Sequence, residues 1–132
     1  MTDPPAQLRV WVNAPERVRL GSIVPIVIGV ENTGEVALPL YLRGRTIAFD
    51  ILIADAVGQV VWRRLDEQVI PGIIQVKVLE SGGVLELSDE WDQHTNRGKA
   101  VPPGLYTAQG IVLTDRPEPL ASLPQPLLIV SV

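Results

Sequence analysis

The single histidine, His94, stands close to Asp89, Glu90 and Asp92. These four side chains are the nearest the chain comes to a metal or acid–base cluster. Their spacing argues against both. Successive side chains on a strand point to opposite faces, so Glu90 and Asp92 are expected opposite Asp89, and few ligands converge. A Ser-His-Asp set can be written from Ser88, His94 and Asp92, but no Gly-x-Ser-x-Gly elbow holds any serine. The pairs Asp66-Glu67 and Asp89-Glu90 are adjacent, so on strands they diverge instead of facing each other as acid and base. Gly82-Gly83 lacks the lysine and following helix of a phosphate-cradling loop. His94 therefore reads as a solvated loop histidine. No catalytic residue, metal or cofactor is expected, and the chain is not expected to be an enzyme.

The remaining candidates bind instead of reacting. Arg97 and Lys99 flank Gly98 in the polar stretch 92–103, which is longer than the usual connection. With His94 they form a candidate contact loop over 93–101. Trp11 falls on the Arg9 face of its strand and is a candidate exposed anchor. Trp62 alternates with an apolar face and is expected in the core. Trp91, flanked by acids, is expected to cap an end of the domain. Arg43, Arg45, Arg63 and Arg64 could make a basic patch, but scattered surface charge is favoured on an acidic protein.

What positions these residues follows from composition. The chain has 132 residues, no Cys, 46% apolar residues and only 5% aromatics. That length fits one domain, 1–132, with a core that needs no disulfide. The apolar mass is Val, Leu and Ile, suited to pleated surfaces. Pro 12 and Gly 11 punctuate the chain instead of clustering. The net charge of -4 argues against nucleic acid. No apolar run is long enough to span a bilayer, so no membrane partner is expected. Met1-Thr2-Asp3-Pro4-Pro5 does not resemble a signal peptide. A cytoplasmic location is expected, or an exported one if the chain is excised from a longer protein.

Period-two alternation marks strands over 7–13, 24–31, 47–55, 59–64, 73–79, 84–91, 105–114 and 125–132. Residues 36–42, broken by Pro39, read as an edge strand or one that switches sheets. Turn residues separate them, at 32–35, 43–45, 55–58, 70–72, 81–83 and 116–119. The hairpin 47–64 has Val60 and Trp62 on one face, with Asp50 pointing outward. Eight or nine short strands imply an all-β, immunoglobulin-like antiparallel β-sandwich. The expected core is Val24, Ile26, Ile28, Phe49, Ile51, Trp62, Leu85, Tyr106, Ala108 and Val112. Pro103-Gly104-Leu105-Tyr106 reads as a tyrosine corner, in which the phenol bonds backbone upstream.

Several segments together resemble a known family. They are Gly58-Gln59-Val60-Val61-Trp62-Arg63, then Glu90-Trp91-Asp92, then Gly98-Lys99-Ala100-Val101-Pro102-Pro103-Gly104-Leu105-Tyr106-Thr107. Glu31-Asn32-Thr33-Gly34 and Phe49-Asp50-Ile51 fit as well. The chain resembles the intracellular proteinase inhibitors of the BsuPI type over most of its length. It departs from their pattern at Arg64-Leu65-Asp66-Glu67 and at Leu79-Glu80-Ser81-Gly82-Gly83. The resemblance implies a protein partner, a subtilisin-like serine protease, and no small-molecule substrate. The alternative is a structural or interaction module of a larger surface or scaffolding protein.

Overall fold

The computed structural model describes residues 7–116 and 119–131. Eleven strands follow one another: β1 (Leu8–Asn13), β2 (Arg17–Arg19), β3 (Val24–Asn32), β4 (Leu38–Arg43), β5 (Phe49–Ala54), β6 (Val60–Arg63), β7 (Ile74–Leu79), β8 (Val84–Trp91), β9 (Gly104–Val112), β10 (Leu120–Ala121) and β11 (Gln125–Val130). No described residue is in an α-helix. One sheet has the order β1-β3-β8. A second has the order β2-β11-β9-β5-β6, with β10 also on β9. A separate ribbon pairs β4 with β7. All pairs are antiparallel except β2 with β11.

The core lies between the two larger sheets, and alternation puts it there. Val24, Ile26, Ile28 and Val30 of β3 are buried, as are Ile51 and Ile53 of β5 and Tyr106, Ala108 and Val112 of β9. Nine of the ten expected core residues are buried. The tenth, Trp62, is half-buried and packs against the cluster.

Three local expectations are corrected. The ladder between β5 and β6 shifts register at Ile53/Ala54. Trp62 pairs with Ile53, whereas Val60 pairs with Ala54, so an extra residue separates them and they do not share a face. Asp50 does not reach solvent: it is 3% exposed. Its carboxylate accepts from the Ile51 and Leu65 amides and from Arg63, which crosses over it. The segment expected over 36–42 as an edge strand or one that switches sheets is β4, one of the two edge strands of the ribbon with β7. The short strands β2 and β10 were not expected. The turn expected at 116–119 lies partly outside the described residues, as do the chain's opening residues and Val132.

Arg64 joins the two large sheets. Its Nε donates to Asp89 on β8 at 2.7 Å and its Nη1 donates to the Phe49 carbonyl on β5 at 2.8 Å. The guanidinium also lies 3.7 Å from the centre of the Phe49 ring.

Candidate interaction surface

At the end of the sandwich where Val24 pairs with Trp91, the 92–103 stretch is a compact, anchored loop. Trp91 is fully buried. Its ring lies 6.2 Å from Trp62 and 6.1 Å from Tyr106, bridging the sheets. Its indole N–H donates to the His94 carbonyl at 2.9 Å. The expected capping role of Trp91 is thus an internal one: the ring closes the core and holds the loop's first turn.

Gln93 is the second anchor. It is 2% exposed and has φ 65°, a left-handed conformation unusual for a residue other than glycine or asparagine. That conformation turns its side chain inward. The carboxamide donates to the carbonyls of Arg19 and Ser22 and accepts from the Gly21 amide, each at 2.9 Å. Its backbone carbonyl accepts from the Val101 amide. One side chain thereby ties the turn between β2 and β3 to the loop.

The tip is a small hairpin. His94 bridges Ala100, and the Thr95 amide donates to the Lys99 carbonyl at 2.8 Å. The Thr95 hydroxyl accepts from the amides of Arg97 and Lys99. Asn96 bonds the backbone of Arg63 on β6, as donor and as acceptor. The exit is fixed by Tyr106, whose hydroxyl donates to the Pro102 carbonyl at 2.6 Å. This is the expected corner. Burial, then the charge of Asp55, raises the phenol's pKa above its ordinary value. Gly104 has φ 150°, a conformation that side chains rarely adopt, so glycine is required at the start of β9.

Arg97, Lys99 and His94 are exposed on this frame. His94 Nδ1 lies 3.0 Å from the Asp92 carbonyl oxygen. No bond joins His94 to Ser88, and among the described residues no three His, Cys, Asp or Glu side chains come together. Leu20 and Ile23, in the turn held by Gln93, are also exposed. Their exposure was not foreseen, nor was the role of Gln93. Its only trace in the sequence is a polar residue directly after the Trp91-Asp92 pair, which is no signal on its own.

The other sequence candidates lie elsewhere. Trp11 is half-buried, on the outer face of β1. Its ring covers Gly29, its partner on β3, so closely that a Cβ there would collide with it. It shields sheet backbone instead of standing free as an anchor. Arg63 and Arg64 are turned to Asp50 and Asp89 respectively, so they do not join Arg43 and Arg45 in one patch.

No family model matches the chain, and no curated protein does either. Among solved structures, it is similar to the CARDB domain of a Pyrococcus furiosus protein, in complex with di-metal ions. That match has a TM-score of 0.50 at 12% identity, covering 95% of this chain and 94% of that one. An alkylpurine DNA glycosylase of Pseudomonas fluorescens matches with a TM-score of 0.49 at 15% identity, over 95% of this chain and 31% of that one. A β-glucosidase of Erythrobacter marinus matches with a TM-score of 0.48 at 18% identity, over 93% of this chain and 15% of that one. The CARDB likeness shows the fold: an immunoglobulin-like β-sandwich.

Proposed function

We propose that this chain is a non-catalytic interaction module that presents the 92–103 loop to a protein partner. One observation carries the reading. The loop is fastened at Trp91, Gln93, Asn96 and Tyr106, while Arg97 and Lys99 remain exposed at its tip. A loop already held in one conformation loses less entropy on docking than a mobile one. The module's place, cytoplasmic or exported within a larger protein, follows from that partner. Affinity capture from the source organism tests the reading. The wild type should retain a partner that the Arg97→Ala, Lys99→Ala double variant loses. Equal recovery by both would reject the loop.

A second reading keeps the subtilisin-like serine protease as the partner, following the BsuPI resemblance. The same rigid cationic tip supports it, because inhibitors of that kind fill a cleft with a preformed loop. Inhibition of a purified intracellular subtilisin-like protease by the wild type, and not by the double variant, would support it. No inhibition by the wild type at micromolar concentration would leave the interaction module without a protease role.

A further inference from the structure

We infer that the free edge of β7 takes up an extended peptide segment that alternates apolar and acidic residues, as an added strand. β7 pairs with β4 on one side, and among the described residues no other strand pairs with it. It therefore presents an unpaired row of backbone donors and acceptors. One face of the ribbon is exposed and, apart from Arg43 opposite Ile74, apolar. Tyr41 stands opposite Val76, and Pro39 opposite Val78. Val76 is 56% and Val78 54% exposed. Ile74 continues the row.

Two of the other sheet edges are protected. On β6, both backbone groups of Arg63 are taken by Asn96. One edge strand of the three-stranded sheet, β8, carries Glu86, Asp89 and Glu90 along its length. β7 carries a single charge, Lys77, among β-branched residues.

Charge selects the occupant. The twelve residues of β4 and β7 include Arg43 and Lys77 and no acid. Arg45 follows in the turn after β4. The chain as a whole has net charge -4, so the paired strands of this ribbon are basic on an acidic protein, with Glu80 the one acid directly after β7. A second copy pairing β7 to β7 would bring like charges together, which is unfavourable across adjacent strands. A strand with acids on the Lys77 face and apolar residues beside Val76 and Val78 is complementary on both faces. Main-chain bonds then give affinity, and the side chains give selectivity.

The test uses the full chain labelled with nitrogen-15 and three capped seven-residue peptides. One alternates Val with Glu, one alternates Val with Lys, and the third is the Val/Glu peptide N-methylated on every residue so that neither of its edges can donate. Amide shifts of Ile74–Leu79 should move with the first. Affinity should fall on the order of tenfold or more with each of the others. Lys77→Glu should reverse the ranking of the first two peptides. Arg97→Ala with Lys99→Ala should change nothing, which separates this surface from the loop. Absence of shifts in β7, equal response to the Glu and Lys peptides, or an unchanged ranking in Lys77→Glu would overturn the inference. So would β7 shifts that grow with protein concentration alone, which would assign the edge to a second copy.

Discussion

The carboxamide of Asn96 forms both hydrogen bonds of a strand partner with Arg63. Nδ2 donates to the Arg63 carbonyl and Oδ1 accepts from the Arg63 amide, each at 2.8 Å. A single side chain thus closes part of the β6 edge and fixes the loop tip on the larger sheet. The cationic tip is presented by a scaffold residue and does not hang from flexible backbone.

Asn96→Ala should release the tip with little effect elsewhere, because these bonds are exposed. Stability should fall by no more than about 1 kcal/mol. Amide exchange at 95–99 should accelerate markedly, while exchange in β3 and β9 stays slow. Unchanged exchange at the tip would show that the Thr95 turn suffices without Asn96.

Gln93→Ala should cost more, about 2 kcal/mol. It strips partners from the Arg19 and Ser22 carbonyls and the Gly21 amide, while the left-handed backbone at this position is common to both proteins. Denaturant unfolding reads the loss. Hydrogen exchange should show Gly21 losing its protection. A variant as stable as the wild type would mean that water replaces the carboxamide freely.

Tyr106→Phe keeps the ring between Trp91 and the core but leaves the Pro102 carbonyl without its donor. A loss of about 1–2 kcal/mol is expected. The pH dependence has a fixed sign. The folded-state pKa is raised, by burial first and by Asp55 second. Above pH 10.0, the phenol's ordinary value, the unfolded chain releases its proton before the folded one does. The stabilisation is whole below that pH and is lost as pH rises through the folded value. Wild type and Tyr106→Phe should therefore converge in stability on the alkaline side. Parallel curves would place the hydroxyl in solvent.

Gly29→Ala should destabilise by about 1–3 kcal/mol, because the new methyl meets the Trp11 ring. In a Trp11→Ala background the same change should be nearly neutral or slightly stabilising, since alanine suits a strand better than glycine. Equal costs in both backgrounds would separate the two residues.

Much of this fold could be read from the chain, and what could not be has identifiable reasons. β8 has the expected bounds, and the alternation of β3 and β9 placed Ile26, Ile28, Tyr106 and Ala108 inside. The Pro103-Gly104-Leu105-Tyr106 segment foretold the corner because the motif is local. Period two puts Trp62 and Val60 on one face because it assumes an unbroken ladder, and a bulge changes phase without a fixed residue signature. The sequence points Asp50 outward because a lone acid on a strand is usually solvated; its cover, Arg63, comes from the next strand. The pairing of β4 with β7 and the parallel contact of β2 with β11 join segments far apart in the chain. Local pattern carries no information on such pairs. Within the candidate site, exposure of Arg97, Lys99 and His94 was legible from a polar run. Gln93 was not, because its role depends on a turn more than seventy residues away.

The most direct test places a photo-crosslinking side chain at position 97, and in a second sample at position 86, on the outer face of the three-stranded sheet. Both samples are exposed to the partner recovered by affinity capture, and cross-linked product is measured by mass spectrometry. The account predicts abundant product from position 97 and little from position 86. Product from position 86 with none from position 97 would contradict it and move the binding surface to the sheet.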